Sequence, residues 1–297
     1  MSEIAQVMHQ PSRIRILKMV TRDPLVLLSA LFLVLLLFAA TVGASLVEPS
    51  IAKINIALRG QPPFQLEHGW LYFLGSDSLG RSLLARIIYA SRNTLMIATS
   101  AVAISLVIGV VLGVWAGYKG GWQSTLIMRI TDSIMSFPIL LLAILLLYIM
   151  QAQNQTIVIV LAVSRIPMFL RVARAEVLEV RERLFVTASI TIGSKTAWIL
   201  RKHVLPTITP TLLTLAALEV GFVMLSESSL SFIGLGVQAP EISWGLLVSQ
   251  GTQHLGTLWW LAVIPGSMIV LTALSLNLLV SWTRIYLDPR QKWRVEA

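Results

Sequence analysis

The sequence predicts an all-α, polytopic membrane protein with about six transmembrane helices. Three observations predict it. Hydrophobic residues fill 56% of the 297 positions and charged residues only 12%, about half the charged share of a soluble globular domain. Mean hydropathy is +0.80. The apolar residues are gathered into uncharged runs near the roughly 20 residues that a helix needs to cross a bilayer. This composition excludes a soluble enzyme and a disordered chain, and with no Cys it excludes a disulfide-framed secreted protein. A net charge of +9 on so apolar a chain points to loops beside an anionic lipid leaflet, not to nucleic acid.

The spans follow in order. Residues 25–47 and 94–117 are uncharged runs of spanning length. Ser133 to Ser164 carries no charge and is too long for one span; Gln151, Gln153, Asn154 and Gln155 divide it into 133–150 and 156–172, joined by a tight hairpin. Residues 205–226 form a fifth span, opened by Pro206 in its first turn, and 258–281 a sixth. A cytoplasmic tail, 1–24, precedes a single transmembrane domain, 25–297. The first apolar stretch lies behind about 24 polar residues and is longer than the core of a secretory signal, so it reads as a span.

Lys and Arg orient the spans. With both termini cytoplasmic, seventeen of them fall inside and five outside, with Arg165 left within span four. The N-tail (12–22) and the 81–92 segment, where Arg81, Arg86 and Arg92 alternate with Leu83, Leu84, Ile87 and Ile88, read as amphipathic helices lying in the inner and outer interfaces. The 228–236 stretch reads as a re-entrant or scoop-like piece at the outer edge, because irregular backbone survives at that depth only inside protein or against a cavity. Gly109, Gly113 and Gly117 recur at the four-residue spacing that lets helix backbones approach in lipid.

The 173–204 loop holds the densest information. It runs Leu184-Phe185-Val186-Thr187-Ala188-Ser189-Ile190-Thr191-Ile192-Gly193, then ten residues on reaches Val204-Leu205-Pro206. This reads as a short helix of small residues with Phe185 as an apolar anchor, a glycine turn, a second helix and a proline opening the next span. Both a membrane-lying hairpin and a docking handle for another protein fit that pattern.

Here the chain resembles a known family. The loop is similar to the EAA…G…I-LP signature of ABC importer permeases, with Thr187 in place of the usual Glu and Ser189 in place of the second Ala; Ala188, Gly193, Leu205 and Pro206 match. Leu74-Gly75-Ser76-Asp77-Ser78-Leu79-Gly80-Arg81 resembles a segment of dipeptide, oligopeptide and nickel permeases, with Ser82 where Asp is usual. Glu227 to Pro240, followed by Ser243-Trp244-Gly245, is similar to that family's EASLSFLGLGVQPP…WG segment, and Leu287-Asp288-Pro289-Arg290 fits its tail. The resemblance implies a type I ABC importer permease fold in a bacterial inner membrane. It implies a second homologous permease, two cytosolic ATPases that hold the ATP and magnesium, and an extracytoplasmic solute-binding protein. It implies that Phe185, Thr187, Ala188, Ser189, Gly193 and Pro206 couple to the ATPases. The implied solute is peptide-like, with a nickel chelate or glutathione as alternatives; an ion-coupled secondary transporter is the rival class.

The chain itself holds no predicted cofactor. Four scattered His without Cys give no metal-ligand spacing. Gly193-Ser194-Lys195-Thr196 resembles the end of a phosphate-binding loop, but Ala188 stands where the cradle needs glycine. Glu219 lies 13 residues beyond Pro206, about 20 Å along the helix. A bare carboxylate there costs on the order of 3 kcal/mol. Two readings follow: Glu219 lines the translocation pathway and meets a cationic group of the solute, or it pairs with Arg165 or another subunit. Arg165, within span four, and Glu227, at the outer mouth, are further pathway candidates, and Glu227 also fits a brace for the Ser/Gly-rich loop.

Overall fold

A computed structural model describes residues 23–51, 53–150 and 153–287. The basic residues of the 1–22 tail and the Asp288-Pro289-Arg290 motif lie outside the described residues. Among those described, nine helices and two short 3-10 turns account for the fold, and five helices are long and apolar enough to cross a membrane.

The first, α1, runs Pro24–Ile51. Asp23 caps it by accepting from the backbone N–H groups of Leu25 and Val26, and Pro24 takes the first turn, where no N–H is needed. A π-helical turn at Ala39–Gly43 interrupts it. Helix α2, Leu83–Lys119, spans 37 residues, about 55 Å and well beyond the roughly 30 Å hydrocarbon core. Ser82 caps it through the Ala85 N–H, and Gly120 and Gly121, both at φ +65°, end it.

Residues 83–92 are therefore the N-terminal end of α2, not a separate interfacial helix. Arg86 does not snorkel to headgroups; it is 4% exposed and bound to Asp77. A charge that finds a partner inside the protein no longer ends a helix, which is why the span extends past the boundary that its charges suggested.

The 118–132 region, expected as a loop, is helix α3, Gly121–Ser136. It meets α4, Ile139–Met150, at a 91° bend. Pro138 makes the break: it disfavours helical backbone at Phe137, which is extended at φ −86°, ψ 137°. The third span is thus a bent pair, a sixth crossing only if the two pieces count as one. Helix α5, Asn154–Arg181, is a further span and continues nine residues past the expected end at 172. Its charged last turns are amphipathic, with Ala173, Val177 and Val180 buried.

After α6, Leu184–Thr191, the chain turns into α7, Thr196–Phe232. The stop expected before Pro206 does not occur. A π-helical turn at Leu200–Val204 leads straight into Leu205, absorbing the hydrogen bond that proline cannot make. Helix α7 also takes in 228–232, so most of the expected re-entrant stretch is regular helix, and the chain turns only at Ile233-Gly234, where Gly234 has φ +86°. A short helix α8, Trp244–Thr252, and a last span α9, Trp260–Leu287, complete the fold.

The central seam is α2 against α5. A Cβ on Gly109 would stand 2.6 Å from the Phe169 Cβ, on Gly113 2.5 Å from the Leu170 carbonyl oxygen, and on Gly117 3.0 Å from that of Arg174. Ser105 extends the stripe by one more turn and donates to the Ala162 carbonyl at 3.0 Å. The glycines therefore pack a span of this chain.

Gly113→Val is expected to destabilise the protein by about 1–3 kcal/mol through overpacking, read as a lower melting midpoint of the detergent-purified protein. Gly256→Ala, where an added Cβ meets nothing within 4 Å, serves as control and leaves the midpoint unchanged.

Candidate functional site

Three groupings of polar or exposed residues stand out on this frame. The first is the α6–α7 hairpin. Gly193, at φ +78°, closes α6 with two bonds, Gly193 N–H to the Ile190 carbonyl and Ser194 N–H to that of Ser189, the paired pattern of a glycine C-cap. Val186, Ile199, Val204, Ile208 and Leu212 are buried with Val114, Ala173, Val177 and Val180 of α2 and α5. The His203 ring is held between Phe185 and Trp198, with centroids at 5.6 and 5.0 Å, and lies 3.4 Å from the Ser189 hydroxyl. The hairpin is thus anchored to the ends of two spans and braced internally.

Its other side is apolar and open. Leu184 is 88% and Ile192 79% exposed, and Ile190, Trp198 and Phe185 are also exposed. Thr187 and Ala188 are exposed as well, whereas Ser189 is buried in the brace, and Pro206 sits exposed on the first turns of α7. Leu184, Ile190, Ile192 and Trp198 were not singled out by the motif. Their signal, bulky apolar residues on a charged polar-side loop, was present but is indistinguishable in sequence from a hairpin core.

The second grouping is the pair Arg165 on α5 and Glu219 on α7, Nε to Oε2 at 3.4 Å. Both are buried, and the guanidinium lies 3.8 Å over the Phe222 ring. Arg165 Nε and Nη2 and Glu219 Oε2 have no hydrogen-bond partner among the described residues. Beside them an apolar groove of about 360 Å³ runs between α4 and α7, lined by Pro138, Ile139, Phe222, Leu225, Ser226 and Ser229. Glu219, Phe222, Ser226 and Ser229 follow one another at helical spacing and share a face.

The third is the loop after α7. Glu227 is 1% exposed and accepts from Ser231 at 2.7 Å and from Ser243 at 2.8 Å. Gly245 passes so close that a Cβ there would stand 2.6 Å from the Ser228 Cα. Trp244, fully buried, donates from its indole to the Ile87 carbonyl and from its backbone N–H to Thr94. Glu227 is therefore enclosed by its own loop in this arrangement. Next to it, the 74–86 segment forms a clasp. Asp77 accepts from the backbone N–H of Leu79 and Arg81 and from both Arg81 Nε and Arg86 Nη1. Gly80, at φ +72°, passes against the Asn55 carbonyl with no room for a side chain. Among the described residues no group of His, Asp or Glu is placed to hold a metal.

A bundle of spanning helices with an apolar-tipped hairpin at one end defines a polytopic membrane protein. Residues 109–293 match the family described as binding-protein-dependent transport system inner membrane component. Among curated relatives, a dipeptide transport system permease protein of Alkalihalophilus pseudofirmus is 33% identical over 93% of this chain and 89% of its own length. A di/tripeptide transport system permease protein of Pseudomonas aeruginosa is 37% identical over 78% of this chain and 77% of its own. A glutathione transport system permease protein of Pectobacterium atrosepticum is 34% identical over 74% and 73%. The fold is similar to that in inward-facing structures of the MetNI methionine ABC transporter, with TM-score 0.52, 17% identity and coverage of 66% of this chain and 94% of that one. The chain belongs to the binding-protein-dependent transport system inner membrane component family. It is a multi-pass transport permease subunit, not an enzyme.

Removing one member of the buried pair leaves the other charge uncompensated, at about 3–5 kcal/mol. Arg165→Met or Glu219→Leu alone is expected to lower the melting midpoint sharply, and the double variant to recover most of the loss. Additive losses in that cycle mean that the pair is not coupled.

Proposed function

We propose that this chain is one half of the membrane channel of an ATP-driven importer for a peptide-like solute. It pairs with a second, homologous permease; two cytosolic ATPases bind beneath, and an extracytoplasmic binding protein delivers the solute. Both termini face the cytoplasm, with the basic N-tail against the inner leaflet. The relatives named above transport dipeptides, tripeptides or glutathione by their names, which supports a peptide-like solute, and the asymmetry of Lys and Arg supports the orientation.

The observation that carries the reading is the hairpin. Its buried side is continuous with the α2–α5 seam, so a force on it moves those spans as a body. Its free side exposes Leu184, Phe185, Ile190, Ile192 and Trp198, more bulky apolar surface than a solvated loop carries without a partner. Phe185 contributes both to the brace and to that surface. Thr187 and Ala188 keep the helix face shallow, Gly193 sets the turn, and Ser189 and Pro206 fix the hairpin to α7. A carboxylate is absent at 187, so docking here rests on apolar contact.

ATP binding closes the two ATPases and pulls the hairpins. The permease pair turns outward to receive the solute, and hydrolysis returns it inward. This needs a bistable rigid body, not a flexible loop. The Glu219–Phe222–Ser226–Ser229 face of α7 borders the pathway, and the unpartnered nitrogens of Arg165 and Oε2 of Glu219 await groups from the second permease or the solute. Glu227 acts from behind, holding the outer loop.

Leu184→Asp/Ile192→Asp is expected to cut the ATPase that co-purifies with the permease by about tenfold or more, with the melting midpoint of the isolated permease unchanged. Retention of the ATPase at wild-type level refutes the docking role. In cells, labelled dipeptide uptake should fall in parallel. Glu219→Gln is expected to weaken uptake of dipeptide; unchanged rate and affinity remove Glu219 from the pathway.

A further inference from the structure

The Asp77 clasp is saturated on one side and open on the other. Arg81 spends its Nε on Asp77 at 2.6 Å, yet its side chain remains 26% exposed, and among the described residues its two terminal nitrogens have no hydrogen-bond partner. Arg86, 4% exposed, gives Nη1 to Asp77 and Nη2 to the side-chain oxygen of Gln250. Its Nε is buried without a hydrogen-bond partner among the described residues. Both guanidinium groups border a half-open cavity of about 160 Å³, completed by Gln250, Gln253 and His254 from α8 and the turn that follows it.

The charges lining this cavity do not cancel. Two arginines face one carboxylate, and no other Asp, Glu, Lys or Arg lines the cavity. An undercompensated cation beside a cavity favours an anion. The fork of Arg81 suits a planar, two-oxygen acceptor, because a guanidinium bonds a carboxylate through parallel N–H groups. The volume admits one such group and not a folded segment. The cavity also lies at the end of α2 opposite the hairpin, since α2 starts at Leu83 beside the clasp and ends where the Arg181 guanidinium donates to the Tyr118 carbonyl.

We propose that this cavity is a seat for an aspartate or glutamate side chain of the extracytoplasmic binding protein, so that Arg81 and Arg86 register that protein on the permease before the solute is released. This rests on the importer reading above. It adds a charge-specific contact to what the fold itself accounts for, and it gives Asp77 a second role: it spreads the two guanidinium groups around the cavity and leaves one net positive charge to recruit the partner.

The test uses the full complex with its ATPases in lipid nanodiscs, with ATP hydrolysis followed as the cognate binding protein is titrated. Gln253→Glu puts a carboxylate into the cavity without touching the clasp. It is expected to raise the half-saturating concentration of binding protein by about tenfold or more, with an unchanged melting midpoint showing that the complex is folded. Arg81→Gln is expected to do the same, and Gln253→Glu keeps the question decidable where Arg81→Gln weakens the clasp. Sodium acetate should raise the half-saturating concentration of the wild type more than sodium chloride at equal ionic strength. Half-saturation within about twofold of the wild type in Gln253→Glu overturns the proposal. So does acetate or a free dipeptide altering hydrolysis through Arg81 in the absence of binding protein while half-saturation stays the same, because the site then serves a free carboxylate. A wild-type complex that no binding protein stimulates sinks the importer reading itself, a failure visible before any variant is made.

Discussion

The close approach of α2 to α5 is the constraint on which the rest hangs. In lipid, the apolar effect does not drive one helix onto another, so association depends on van der Waals contact between backbones. Ser105, Gly109, Gly113 and Gly117 make that contact possible at four successive turns. A side chain at any of these glycines would stand within about one atomic diameter of the α5 backbone or side chains. Because the two helices are joined along nearly their whole shared length, they behave as one rod with a hairpin at one end and a clasp at the other.

That rod explains how charge is handled. Each buried charge in the described part of the bundle stands near a helix crossing and has a group to face: Arg86 with Asp77, Arg165 with Glu219, and Glu227 with two serines. The three differ in completeness. Asp77 is enclosed by four short hydrogen bonds, and Glu227 takes two on Oε1 while its buried Oε2 has no partner among the described residues; both serve the architecture of the loops at that end of the bundle. Arg165 and Glu219 meet at 3.4 Å with nitrogens and an oxygen left over, in a slab where an unmet polar group is expensive. A half-satisfied pair is a poor structural device and a good contact point for a group arriving from outside the chain. The same reasoning separates Arg81, which keeps free nitrogens at a cavity, from the arginines of the hairpin region, such as Arg183 on Glu179, which are solvated surface pairs of small energetic weight.

The hairpin shows how one motif divides its labour. The small residues of 187–189 were legible as a helix that lets another surface come near. What they could not reveal is that Ser189 turns inward to His203, or that the ring stack of Phe185, His203 and Trp198 stiffens the unit. Those contacts join residues up to 18 positions apart in sequence, and no local pattern encodes which side of a short helix meets the next one. The exposed partners Leu184, Ile190, Ile192 and Trp198 were hidden for the same reason: an apolar residue in a loop reads alike whether it faces the core or a partner.

Composition and run length alone determined the class of molecule, the number of apolar helices to within one, the glycine stripe of α2 and the position of the hairpin, because each is a one-dimensional property of hydrophobicity or of residue size. The same reading ended spans two and four where charged residues begin to gather, which left the N-terminal end of α2 and the C-terminal end of α5 outside the membrane helices and turned α3 into a loop. Only the tertiary structure decided these, along with the partners of Arg86, Arg165, Glu219 and Glu227. A charge ends a span when it must face lipid and extends it when a carboxylate from a distant segment meets it. Which of the two holds depends on distances between residues as far apart as Arg86 and Gln250, set by packing in three dimensions and not by order along the chain.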